Sequence, residues 1–227
     1  FRYMLAQRYY PQEYQKLKGY IEMGRWHVAG SMVDAPDVNI PSPESLFRHI
    51  TYGNGFFFRE FGKRSVDIFL PDCFGFSYTL PTIAAHCGLK GISTSKLGWG
   101  SAVKIPFIIG RWEGVDGSEI VAVLDPSPYG SNWKVQEQKL DEIIDQTGLP
   151  ICYDYFGHGD KGGSNDAHEV DSLMKRMAEN DQNSIKVISA SSDQLYRDLT
   201  PQQVAQLPHY KGELLMREHG VGCYTTR

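Results

Sequence analysis

Three sets of residues in this chain have types and spacings that could do chemistry. Asp72 follows the apolar run Ile68, Phe69, Leu70, Pro71 and precedes Cys73, Phe74, Gly75 and Phe76. A carboxylate among aromatic rings loses hydration, a large cost unless a cation or hydrogen-bond donors compensate. It either caps the helix that begins in YTLPTI or serves as a nucleophile or metal ligand, with Gly75 letting the backbone come close to a ligand. Asp160 stands in HGDKGG, residues 158–163, and reads as a turn residue or as a general acid. His158 and Asp160 would share a face of an extended segment, a pair that could hold a metal ion. Lys96 and Trp99, in STSKLGWG, offer a cation and a stacking ring beside a sugar, or a surface lysine and a packed tryptophan. Cys73 beside Asp72 is a further candidate ligand, although a free cysteine is ordinarily just buried.

Two carboxylates brought from different strand ends suit glycoside hydrolysis. One attacks the anomeric carbon and the other protonates the leaving oxygen; a gap of about 5–5.5 Å gives retention and a wider one inversion. Competing chemistries lack their signatures. The seven histidines form no H-x-x-x-H pair, and neither a G-x-S-x-G elbow nor a Walker-type loop is present.

Elements must deliver those groups to one place. Helical spacing over residues 3–24 sets Tyr10, Tyr14, Leu17 and Ile21 on one face, with Gly24 as the stop. RWHVAGSMV (25–33) reads as a strand. A helix begins near Glu44, where Ser42 and Ser45 make no capping box but Pro43 and Glu44 suit a first turn. SVDIFLP is a short strand, YTLPTIAAHCG a helix ending at Gly88, and GISTSKL a strand. A hairpin turns around Asp116-Gly117. A helix closed by Gly148 follows, then a strand in PICYDYFGHGDKGG. NDAHEVDSLMKRMAEN is a helix capped at Asn165 or Asp166, with Glu169 in range for a capping box. SIKVISAS is a strand, and SSDQLYRDL opens a last helix. Strands alternating with helices predict an α/β fold with a mostly parallel sheet or barrel. Functional groups of such folds gather at the carboxyl ends of strands, where Asp72, the 94–96 segment and the HGDKGG loop all fall.

Composition narrows the partners. Hydrophobic residues make up 41% and charged residues 22% of the 227, enough for a real core. A net charge of -4 with no Lys/Arg run argues against nucleic acid. The 28 aromatic residues, 13 Tyr, 11 Phe and 4 Trp, therefore pack a core or stack on sugars. Trp26, Trp112 and Trp133 are assigned to the core. No apolar stretch approaches the ~20 residues that span a bilayer. The four cysteines, Cys73, Cys87, Cys152 and Cys223, match no zinc-finger or redox spacing and are expected as free thiols. A start at Phe1 in a helical stretch reads as an internal fragment of a longer protein, and localisation stays open.

Taken together, GRWHVAG, DAPDVNIPSPESLFRHITYGN, FLPDCFGFSYTLPTIAAHCGLKGISTSKLGWG, IGRWEGVDGSEIVAVL, YFGHGDKGG and GELLMREHGVGCYTTR resemble the catalytic domain of glycoside hydrolase family 38, the α-mannosidases, closest to the bacterial branch. The resemblance covers nearly the whole chain. It implies a partial seven-stranded parallel (β/α) barrel, with residues 1–205 in the catalytic domain and 206–227 leading into a following domain. It implies retaining hydrolysis of terminal α-mannosides, with Asp72 as nucleophile and one zinc ligand, and Asp160 as acid/base. Lys96, Phe74 and Trp99 would contact substrate, a mannose-containing oligosaccharide or glycan, while zinc grips its 2- and 3-hydroxyls. The family's other zinc ligands, a His-x-Asp pair and a His, fall outside these residues, so the segment alone should bind Zn2+ weakly and lack activity. A homo-oligomer stays open. The alternatives are a catalytically inactive carbohydrate-binding or assembly module on the same fold, and a metal-dependent deacetylase-like hydrolase.

Overall fold

In a computed structural model, residues 1–124, 135–158 and 163–219 are described. The architecture is mixed α/β. Five strands, β1 (Asp67–Phe69), β2 (Gly91–Thr94), β3 (Ile109–Glu113), β4 (Glu119–Leu124) and β5 (His209–Lys211), form one sheet in the order β1-β2-β4-β3-β5. The β1·β2, β2·β4 and β3·β5 pairs are parallel, and β3·β4 is the antiparallel hairpin around Asp116-Gly117. The described residues thus hold a five-stranded, mostly parallel sheet, not seven strands. No helix among them is long and apolar enough to cross a membrane.

Eight helices accompany the sheet: α1 (Arg2–Tyr9), α2 (Pro11–Glu22), α3 (Pro43–Phe61), α4 (Thr79–His86), α5 (Glu137–Thr147), α6 (Ala167–Ala178), α7 (Gln194–Asp198) and α8 (Pro201–Gln206). Both faces of the sheet are covered, so β4 is apolar at every position after its first. Ile120, Ala122 and Leu124 face Leu46 and Ile50 of α3 and Leu80 and Ile83 of α4. Val121 and Val123 face Ile143 of α5 and Leu195 and Tyr196 of α7. Full burial of each such side chain contributes about 1.5–3 kcal/mol. Trp112 is fully buried in the first of these layers.

The helix starts and stops follow local chemistry. The Ser42 side chain accepts from the Ser45 amide at the start of α3, and Gly62 ends it in the left-handed region. Asp166 and Glu169 form the expected capping box on α6, and Gly148 closes α5 with φ 70°.

Five expectations are corrected. The single helix over 3–24 is two helices, because Pro11 opens α2 and forces Tyr10 to φ -134°, ψ 59°. Tyr10 is exposed as a result, while Tyr14 and Ile21 are buried. Residues 25–33 are not a strand: Gly30 turns the backbone to φ 63°, and the segment holds β1 only through Ser31 N–H to the Asp67 carbonyl and Gly30 N–H to the Asp67 carboxylate. The segment from Ile151 to His158 lines a cavity instead of joining a ladder. Over 184–191 a side chain replaces the ladder: Asn180 accepts from Val187 N–H and donates to its carbonyl, both at 2.8 Å. Trp26 is half exposed, its indole N–H donating to the Tyr3 hydroxyl; Trp133 lies outside the described residues.

Candidate active site

The register of β1 on β2 brings Asp72 to Lys96. Asp67, Ile68 and Phe69 pair with Gly91, Ile92 and Ser93, and the same offset carried past both strand ends sets residue 72 opposite residue 96. The Lys96 ammonium donates to Asp72 Oδ1 at 2.5 Å. The two partners differ in burial: the lysine side chain is 4% exposed and the aspartate 58%. An ammonium taken out of water needs compensation. It has the carboxylate and two ring faces, Phe74 at 4.5 Å and Trp99 at 5.3 Å from the nitrogen. The plain alternative of a surface lysine is thus overturned, and Trp99 is 47% exposed rather than packed away.

Glycines let a strap of chain close over this group. Phe76 and Leu214 exchange backbone hydrogen bonds at 2.8 and 2.9 Å. Arg217 N–H donates to the Gly100 carbonyl at 2.8 Å, and Ala102 N–H to that of Leu215 at 2.7 Å. A Cβ on Gly100 would come 2.7 Å from Glu218 Cβ, and Gly75, at φ 103°, passes 3.2 Å from Met216 N by the same measure. The strap delivers His219, which the sequence reading left among the scattered histidines. Its ring stacks on Phe74 (6.0 Å, 18°) and tilts against Trp99 (4.9 Å, 38°). The only sequence signal was its place in the quoted REHGVG segment.

On its other side Asp72 borders a cavity of about 1160 Å³, lined also by Phe69, Pro71, Tyr153, Tyr155 and His158. His158, at the start of the HGDKGG loop, therefore lies at the same end of the sheet as Asp72. Its Nε2 lies 3.2 Å from Glu169 Oε2. Asp160 lies outside the described residues. Cys73 does not turn toward the Asp72 carboxylate: its thiol donates to the Pro36 carbonyl at 2.9 Å, and burial pushes it up to about 12. In this arrangement the thiol is engaged by a backbone carbonyl and not by the carboxylate beside it. Cys87 and Cys152 are free as expected; Cys223 lies outside the described residues.

Among the described residues one group has the donors to hold a metal ion: Glu113, Glu119 and His209, whose ligand atoms lie within 4.8 Å of one another. It stands at the end of the sheet where β4 begins, opposite to Asp72. Around Asp72 the described residues do not bring three such donors together and do not make a metal site unaided.

The chain is similar to known proteins over nearly its whole length. Residues 1–213 match the family described as Glycosyl hydrolases family 38 N-terminal domain. Alpha-mannosidase G of Dictyostelium discoideum is 30% identical over 99% of this chain, and alpha-mannosidase 2C1 of Mus musculus 33% identical over 96%. The chain spans 21% of the length of each. The crystal structure of an alpha-mannosidase from Enterococcus faecalis V583 superposes with a TM-score of 0.63 at 17% identity, over 91% of this chain and 24% of that one, a likeness of fold.

Proposed function

This chain belongs to glycosyl hydrolase family 38, and we propose that it is part of a retaining α-mannosidase in which Asp72 is the nucleophile. The observation that carries the reading is the Lys96–Asp72 pair at the carboxyl ends of β1 and β2, beside a cavity of ligand size. A lysine buried under two rings fixes one carboxylate oxygen by a charge-assisted hydrogen bond. The other face of the carboxylate is open enough for a sugar.

In the proposed reaction an Asp72 oxygen bonds to the anomeric carbon of a terminal α-mannoside as the glycosidic C–O bond breaks. The leaving oxygen takes its proton from the Asp160 carboxyl. Water then attacks the mannosyl ester, giving a proton back to Asp160 and restoring the Asp72 carboxylate, with retention overall. Phe74 and Trp99 shield the Lys96 ammonium from water and strengthen its hold on Asp72. The cofactor in this reading is Zn2+, with Asp72 as a donor and the rest contributed from outside the described residues; no step here is routed through it.

Asp72→Ala in the full-length protein should lower turnover of an aryl α-mannoside by at least ~10³-fold and reduce the bound zinc measured in the purified protein. Substantial residual turnover would reject the nucleophile. Asp160→Ala should slow poor leaving groups by about 10²–10⁴-fold and activated aryl mannosides far less, as removal of a general acid does; equal slowing would reject the acid role.

A further inference from the structure

We propose that His219 is a specificity residue that hydrogen-bonds a hydroxyl of the mannosyl unit bound at Asp72; the inference rests on the mannosidase reading above. Among the described residues His219 is the one non-glycine with positive φ, at 53°. That conformation is unfavourable for an L-residue and persists where the surroundings over-determine it, commonly at ligand sites. Here they do. Backbone hydrogen bonds of Leu215, Arg217 and Glu218 tie the strap to residues 100–102, and the missing Cβ of Gly100 allows the approach. Phe74 and Trp99 then hold the imidazole from two sides.

The outcome is a ring held by its faces and exposed at its edge. No hydrogen bond satisfies either ring nitrogen among the described residues. A histidine kept only for packing gives no reason to hold a polar edge outward at a strained backbone position. The same two rings carry the Lys96 ammonium, which holds Asp72, so the imidazole is one ring removed from the nucleophile's counter-ion. Neither His219 nor Trp99 borders the cavity that Asp72 shares with His158. The imidazole therefore lies outside that cavity, on the flank of the Asp72–Lys96 pair that Phe74 and Trp99 form. A mannosyl unit presents its 2-, 3-, 4- and 6-hydroxyls, and a deoxy series distinguishes which of them the imidazole meets.

Functional-group deletion tests this. His219→Phe keeps a stacking ring and removes both nitrogens. In the full-length protein it should lower kcat/KM for an aryl α-mannoside about tenfold, the loss of one net hydrogen bond, with thermal stability unchanged. With one of the 2-, 3-, 4- and 6-deoxy aryl α-mannosides, the ratio of wild type to variant should fall to about one, because the partner hydroxyl is already gone. His219→Asn, which tolerates the left-handed backbone and keeps a polar edge, should recover part of the loss. Fully additive losses with all four deoxy substrates, or no loss with the parent substrate, would overturn the assignment. Calorimetric binding of methyl α-mannoside in the Asp72→Ala background gives a readout without turnover: adding His219→Phe should weaken it about tenfold, and equal affinity would overturn the contact. Activity surviving in Asp72→Ala itself would instead sink the nucleophile and leave the deletion result on His219 standing.

Discussion

The two ends of the sheet each gather carboxylates and cations, and they resolve charge in opposite ways. Where β4 begins, Glu113 and Glu119 face each other directly in the β3·β4 register. Like charges opposite one another destabilise a strand pair. Lys211 on Glu113 at 2.6 Å, Arg111 on Glu119 at 3.0 Å, and His209 between the two at 2.8 and 3.4 Å cancel that repulsion. Arg111, His209 and Lys211 come from the neighbouring β3·β5 register, so the cluster is a product of strand pairing. At the other end the cation is the buried partner and a single carboxylate faces outward. The first arrangement leaves no electrostatic demand for a ligand, even though its donor atoms lie at metal-binding separations. The second holds a carboxylate in place and leaves it reachable.

Replacing Lys96 by Met tests that asymmetry most severely. The Met side chain fills the space of the alkyl stem between Phe74 and Trp99 and leaves Asp72 half in water. Thermal stability should change little, while kcat/KM for an aryl α-mannoside falls by about 10²-fold, in line with loss of one preorganised donor at a reacting charge. Steady-state kinetics beside a melting curve separate the two quantities. A variant within threefold of wild type in rate would show that the lysine only packs, and the contrast between the two ends would lose its functional meaning.

Much of this was legible in the sequence because the signals were local. The capping box at Asp166, the stop at Gly148 and the hairpin at Asp116-Gly117 each follow from a few adjacent residues, and each stands as read. Asp72, Phe74, Lys96 and Trp99 were singled out by residue type at strand ends, and the structure brings them together. What escaped was set by partners distant in the chain. The segments at 25–33, 151–158 and 184–191 have strand-like composition, but a strand exists only where a ladder partner is in reach. Strand β5 is three residues long and polar on its surface, so it carries no alternation to detect. His219 reaches the aromatic cluster only through strap contacts across more than a hundred residues, which no spacing rule encodes.

The smallest effect is expected from Glu113→Gln, and it sharpens the contrast from the other side. The Lys211 hydrogen bond, with lesser help from His209, holds the Glu113 carboxyl below its ordinary value. Its folded-state pKa is therefore lower than its unfolded one, near 4.3–4.5. The stabilisation is present above that unfolded value and is lost as pH falls through the folded one. Wild type should melt above Glu113→Gln near pH 7, by no more than about 3 °C given the exposure of the pair, and the gap should close on acidification below about pH 4. High salt should narrow it as well, since exposed ion pairs are screened. Turnover of the aryl mannoside and bound zinc should both stay at wild-type levels, because nothing at this end touches Asp72. A loss of either would mean that Glu113, Glu119 and His209 hold an ion the enzyme needs, and the distinction between the two ends would have to be redrawn around a second metal.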